Sequence, residues 1–328
     1  MSRLAKWVLA LLFCVAPTLE VLAQDRISFG TTRTQSSVYA YGVAAAKAIN
    51  TISGDKINVT VVATGGAVDN LARLSRKQIQ MGLGNMATVY QQYKGLGKFK
   101  GKAAPTLRGL WTYQTSRQAF IVRKDSGVTE ISQLTGKKWT AGQRGSGTEN
   151  LVTQVLTAIG VKPDYYRATL ADALKAIKDR RSIGYAKAMQ GKSLDATSRE
   201  LDATIGIRLL GFTGAQQSAI VEKFPFLSIS KFGKDEISGH PAFATIASVS
   251  GIFTNADVLD DAQVMAILKG IVEGKKIQEE AFPPFRNRDV ATETLAKIPI
   301  PLHSGAVKFY KAKGLKVPDR LIPPEAKK

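Results

Sequence analysis

The chain has 328 residues, 44% of them hydrophobic, a single cysteine and a formal net charge of +20. That length is more than one core comfortably serves and suits two domains. The lone Cys14 excludes thiol catalysis and a disulfide framework from the remainder of the chain. So large a positive charge favours acidic partners. Nucleic acid is not the expected one. Lys and Arg are spread out, with no block beyond pairs such as Lys137-Lys138, Arg180-Arg181 and Lys275-Lys276, and the aromatic residues do not interleave with basic runs.

Residues 1–23 have the form of a secretory signal. Arg3 and Lys6 precede an apolar core at 7–16, which is too short for a comfortable membrane span, and Val21-Leu22-Ala23 offers the cleavage positions. Cys14 lies inside this segment behind Phe13, where a lipoprotein signal would place a small residue. The mature chain is therefore expected to begin at Gln24, to be periplasmic and to carry a charge of +19.

Strand and helix signals then alternate. A β-rich run at 56–64 precedes Val68, Leu71, Ala72 and Leu74 at helical spacing. A short buried strand at 81–85 leads to a helix at 86–93, and strands follow at 107–114, 118–124 and 139–142. Leu151, Val152, Val155, Leu156 and Ile159 form one helical face that stops at Gly160. Strands at 165–169 and 183–188 frame a helix at 171–180, and a helix at 193–204 precedes a strand at 207–212. This alternation predicts parallel sheets joined by crossover helices. The pattern weakens after Thr213. Residues 224–250, with Pro225, Gly233, Gly239 and Pro241, read as irregular chain, although strand character returns over 245–253. Val264, Met265, Leu268, Ile271 and Val272 mark an amphipathic helix. The Pro-rich tail at 298–324 is expected to wrap an outer surface.

Three β-rich runs, at 27–39, 59–70 and 139–150, break into a Gly/Ser/Thr loop that opens a helix. A helix N-terminus carries unpaired N–H groups and a partial positive charge, and small residues let an anion approach it. Together they point to a cleft for a small polar, anionic molecule. The first loop holds Thr31, Thr32, Thr34, Ser36 and Ser37 with Arg33; the second is Thr64-Gly65-Gly66; the third runs Gly145-Ser146-Gly147-Thr148-Glu149. Arg33 and Arg144 are each able to clamp a carboxylate bidentately, or else to face solvent.

Catalytic signals are missing. His240 and His303 sit in Pro- or Gly-containing segments without metal-type partners, so loop or structural roles are expected for both. There is no phosphate-binding G-x-x-x-x-G-K-[ST] loop, no H-E-x-x-H and no G-x-S-x-G elbow; in the frame 142–146 Arg144 takes the serine position. Ser146 has no base supplied for it. Binding without turnover is the expectation, with no metal and no cofactor.

The ordered segments FGTT…VYAYGVAAAKAIN (29–50), VTVVATGGAVDNLARL (59–74), MGLGN (81–85), FIVRKDSGVTEISQLTGKKWTAGQRGSGTE (120–149), DALKAIKDR (172–180) and IPIPLHSGAVKFYKAKG (298–314) resemble the TAXI family of TRAP-transporter solute receptors. The resemblance implies an α/β, two-lobe periplasmic binding protein type II fold with a hinge. Lobe one would be 24–115 plus 250–328 and lobe two 116–249. It further implies capture of a glutamate-like amino acid or organic acid by lobe closure and delivery to a TRAP membrane permease subunit, the receptor being a monomer. ABC-type or sensory receptors share the fold, and some enzymes do too. Under this resemblance Thr32, Arg33, Ser36, Ser37 and Tyr39 serve the ligand from the first loop. Thr64, Gly65, Gly66 and Asn85 join them from lobe one, and Arg144, Ser146, Gly147 and Thr148 close from lobe two. The family's first loop is typically glycine-rich and a Pro commonly stands where Arg144 is, so ligand choice is expected to lie at Arg33 and Arg144.

Overall fold

The computed structural model describes residues 25–34, 37–144, 146–190 and 193–327. The expected signal with Cys14, and Ser36 of the first loop, lie outside these residues. The strands are β1 (Asp25–Gly30), β2 (Ile57–Val62), β3 (Met81–Asn85), β4 (Leu107–Arg123), β5 (Lys138–Trp139), β6 (Asp164–Tyr165), β7 (Gly184–Gln190), β8 (Ile207–Leu210), β9 (Ser228–Phe232) and β10 (Phe243–Asn255). The helices are α1 (Ser37–Ser53), α2 (Ala67–Ser75), α3 (Met86–Lys94), α4 (Gly147–Ala158), α5 (Leu170–Lys178), α6 (Ala196–Ile205), α7 (Gly214–Lys223), α8 (Asp261–Glu273), α9 (Lys275–Ala281), α10 (Val290–Lys297) and α11 (Ser304–Ala312).

The main sheet runs β2-β1-β3-β10-β4-β7, with β8 on β4 and β9 on β10, and β5-β6 form a separate pair. The all-parallel expectation holds for β2-β1-β3 and for β5-β6. It fails elsewhere: β10 pairs antiparallel with β3, β4 and β9, and β4 pairs antiparallel with β7 and β8. The reason is topological. β4 carries the chain from one half of the molecule to the other and β10 brings it back, so the two long strands must oppose each other.

The strands expected at 107–114 and 118–124 are one strand. The polar residues between them do not break it, because the ladder and neighbouring strands satisfy them: Thr115 and Ser116 pair with Val249 and Ser248, and the Arg117 Nε donates to the Ser230 Oγ at 2.7 Å. The span 224–250 is irregular only in part, with turns and bends over 233–242 between two strands. It holds β9 and the start of β10, paired from Ser228–Ala247 to Phe232–Phe243. The tail contains α11, whose Ala306, Val307, Phe309 and Tyr310 are buried, and it is tied in where the Gly109 N–H donates to the Pro301 carbonyl and the Tyr310 hydroxyl to the Leu110 carbonyl.

The buried side chains form three clusters. One draws on 27–113 and 249–321, between β1–β3, the start of β4 and helices α1 and α8. The α1–α8 contact is close because Ala44, Ala45 and Ala48 are small, and a Cβ on Gly270 would lie 2.6 Å from the Ile49 Cα. In this cluster Tyr41 and Tyr113 stack with centroids 3.7 Å apart, and the Trp111 Nε1 donates to the Tyr41 hydroxyl at 2.8 Å. The other two clusters come from residues between 119 and 246, apart from Ala87. Within that half, β4 and β7 approach so closely that a Cβ on Gly184 would sit 1.9 Å from the Ile121 carbonyl oxygen. Gly184→Ala is expected to cost at least about 1–3 kcal/mol through this backbone clash, seen as a lower Tm by calorimetry.

Both histidines have structural settings, as their sequence contexts lead one to expect. The buried His303 caps α11, its Nδ1 accepting from the Gly305 N–H at 3.1 Å, and burial holds its pKa below the usual imidazole value. His240 is buried with its Nε2 3.1 Å from the Asp202 Oδ2. Among the described residues no helix is long and apolar enough to cross a membrane.

Candidate functional site

A cavity of about 770 Å³ opens where the carboxyl ends of the parallel strands from both halves converge. In open α/β sheets this is where ligands sit. Thr32 follows β1, Gly65 follows β2, Asn85 ends β3, Ala141 follows β5, and Tyr166 and Arg167 follow β6; all line the cavity. Helices α1 to α4 start around it, through Val38, Ala67 and Val68, Thr88, and Ser146 with Glu149 and Asn150. Leu83, Gly84 and Ser250 form the floor.

The first wall is organised by Asn70, which is fully buried. Its amide Nδ2 donates to the carbonyls of Gly30, Thr31 and Leu83 at 3.1, 2.8 and 2.8 Å, tying the end of β1 to the end of β3. Thr64 backs this knot: its hydroxyl donates to the Thr31 carbonyl at 2.8 Å and accepts from the Gly66 N–H at 3.1 Å. Gly66 precedes α2 at φ 94°, a backbone region suited to glycine. Asp69, in the first turn of α2, accepts from the Gly65 N–H at 2.9 Å, and that bond together with Arg73 holds its carboxyl below the ordinary carboxylate range. Asn85 caps α3 by accepting from the Ala87 N–H at 2.9 Å, while its Nδ2 donates to the Ser248 Oγ at 2.9 Å. Asn85→Ala removes both bonds and is expected to cost about 1–2 kcal/mol, read as a fall in the midpoint of urea unfolding.

The second wall carries the charge. Ser146 caps α4, its hydroxyl accepting from the Glu149 N–H at 3.1 Å. Glu149 is bound bidentately by Arg167: Nε to Oε1 at 2.7 Å and Nη2 to Oε2 at 3.3 Å. The Glu149 side chain is 12% exposed and that of Arg167 64%, so the guanidinium projects into the opening with its carboxylate partner behind it. The pair raises the Arg167 pKa and keeps it cationic. Tyr165 lies beside it with its phenol pKa raised by burial. Across the cleft stands Lys98, whose pKa partial burial lowers. Lys98 belongs to an unusual stretch: from Asn70 to Lys124 the chain has eleven Lys and Arg residues and no Asp or Glu.

Of the residues expected to bind, Thr32, Gly65, Asn85 and Ser146 line the cavity. Thr64 and Gly66 stand behind Gly65 as its support. Arg33 and Arg144 are exposed and outside the lining, and the Arg144 N–H donates to the Ala168 carbonyl at 2.9 Å. Tyr39 and Thr148 are half-buried in the first turns of α1 and α4 and lie outside the lining, while Gly147 opens α4 and Ser37 opens α1. Sequence reasoning passed over Lys98, Tyr165, Tyr166 and Arg167. A signal for the last three was present: Tyr165 ends β6, Tyr166 and Arg167 follow it, and all three precede α5, which Thr169 caps by accepting from the Asp172 N–H at 3.2 Å.

Solved structures share this architecture. A TctC solute-binding protein from Polaromonas, solved without ligand, superposes with a TM-score of 0.54 at 13% identity, over 89% of this chain and 99% of that one. A Xanthomonas citri protein bound to ATP gives a TM-score of 0.52 at 9% identity, with 89% and 99% covered. At such identities the likeness establishes the fold alone, one shared with a solute-binding protein and built of α/β elements about a central sheet. Residues 29–314 match the NMT1-like family over most of the chain's length, and the chain belongs to that family.

Proposed function

We propose that this chain is an exported solute receptor that captures a small organic anion between two lobes and presents it to a membrane permease. The observation that carries this is the cavity itself, built from strand ends of both halves and bearing Lys98 on one wall and Arg167 on the other. In this reading lobe one is 24–115 with 250–328 and lobe two 116–249. The lobes close about the β4–β10 crossing, where the pairing register shifts between Ser250 and Gly251. Such an irregularity is a natural place for strands to bend. Closure excludes water and strengthens each polar contact to the solute. Thr32, Asn85 and Ser146 supply donors, Gly65 leaves room beside them because it has no side chain, and the clamp expected of Arg33 and Arg144 passes to Arg167 and Lys98. The resemblance to TAXI receptors favours a TRAP permease as recipient; cross-linking to membranes and identifying the captured subunit tests that step.

The receptor itself is tested by thermal melting against a panel of organic acids and amino acids. A ligand at one hundred times its Kd stabilises the folded state by about 2.7 kcal/mol, a readily measured rise in Tm. Failure of every organic anion in the panel to raise Tm would sink the proposal.

A further inference from the structure

The lining of the cleft is less polar than a receptor for glutamate requires. Val68 sits in the first turn of α2, and it faces the cavity while Leu71 and Leu74 of the same helix are buried in the core. It is 44% exposed, one of the few large hydrophobic side chains left open to solvent among the described residues. Val38 lies on the same wall and Leu83 in the floor beside it, and Tyr165 and Tyr166 stand on the other wall. An apolar side chain held open at a cleft gains stabilisation only when something apolar covers it. The charge inventory is equally selective. An amino acid brings an ammonium group that is best met by an anionic partner, and among the described residues Glu149 is the only acidic one lining the cavity. Both of its carboxylate oxygens already accept from Arg167. Lys98 faces the solute as a cation, and Arg167, paired with Glu149 through Nε and Nη2, offers the Nη1 edge that Glu149 does not engage. The volume of about 770 Å³ falls in the range that holds drug-sized molecules.

We infer that the solute is an organic carboxylate with a hydrophobic, ring-sized body and no ammonium group. Its head lies between Arg167 and Lys98, and its body lies between Val68 and the Tyr165–Tyr166 wall. This rests on the receptor function proposed above and narrows its substrate class.

The test is titration calorimetry of the intact mature protein with benzoate, cyclohexanecarboxylate, acetate, L-glutamate, L-glutamine and benzyl alcohol. The same titrations are repeated on Val68→Asn, a substitution at a site open enough to leave the fold intact, as circular dichroism would verify. A ring carboxylate is expected to bind at least roughly tenfold tighter than acetate or glutamate. Val68→Asn is expected to weaken the ring acid about five- to tenfold and to leave acetate unchanged. Tighter binding of glutamate or glutamine, benzyl alcohol matching benzoate, or an unaltered ring-acid affinity in Val68→Asn would each overturn the assignment while leaving a receptor in place. No binding by any probe would overturn the receptor function together with it.

Discussion

Arg167→Ala is expected to weaken binding of the captured anion by roughly a hundredfold, as truncating one member of a hydrogen-bonded charge pair does. Two effects add. The anion loses a planar cationic fork, the side chain best suited to a carboxylate. The Glu149 carboxylate, 12% exposed and now without its guanidinium, turns from a silent neighbour into a repelling charge. The fold should survive, since Glu149 lies in the first turn of α4, where the helix dipole favours a negative charge. Titration calorimetry with the bound anion would show the loss. Adding Glu149→Gln to Arg167→Ala should recover part of the affinity by removing the repulsion, whereas Arg167→Lys should recover little, because an ammonium cannot span both oxygens of Glu149 and also meet the solute. An unchanged Kd in Arg167→Ala would place the anion elsewhere in the cleft.

Asn70→Ala is expected to have the largest effect on stability among substitutions near the site. One buried amide group serves three backbone carbonyls, of Gly30, Thr31 and Leu83. Removing it takes this donor from the Gly30 and Leu83 carbonyls, while the Thr31 carbonyl keeps the Thr64 hydroxyl; at about 1–3 kcal/mol per lost bond a total on the order of 3 kcal/mol follows. Scanning calorimetry should show the fall in Tm. Asn70→Asp separates shape from hydrogen bonding: it keeps the volume but turns a donor into an acceptor facing three carbonyls, so it should destabilise at least as much. Solute affinity should fall in parallel, since the same bonds fix Thr31 beside Thr32 and Leu83 beside Gly84 at the cavity floor. A binding defect without a stability defect would contradict this account.

Local chemistry explains which parts of the molecule were legible in its sequence. The units β1–α1, β2–α2 and β3–α3 follow the alternation of strand and helix periodicity closely, because each buries its face against its immediate neighbours. The middle of β4 was misread because Thr115-Ser116-Arg117 look like a turn until β10 and β9 supply their partners. The helix α7 carried a usable signal, a capping box in which Thr213 and Gln216 satisfy each other's backbone N–H groups. The helix α11 hid in a Pro-rich tail, and its cap is a histidine, an uncommon choice. At the cleft, Thr32, Gly65 and Ser146 stood out as small and hydroxyl residues in loops that open helices, and Asn85 came from the family resemblance alone. Lys98 and Arg167 did not, since a lysine or arginine in a loop is ordinary. Their meaning comes from the end of β6 meeting the loop after α3, a juxtaposition that only the tertiary fold makes.

The long acid-free run from Asn70 to Lys124 has a kinetic consequence. Lys94, which ends α3, and Lys98, Lys100 and Lys102 after it fall within nine positions, and Lys98 lines the cavity. With no carboxylate in that segment to cancel them, these charges extend an attractive field about 8–10 Å into solution at moderate ionic strength. Such a field acts on molecules that have not yet arrived, raising the rate of encounter more than the lifetime of the complex. The loop after α3 would thus set how fast the receptor fills when solute is scarce, while the contacts deeper in the cleft set how long it stays full.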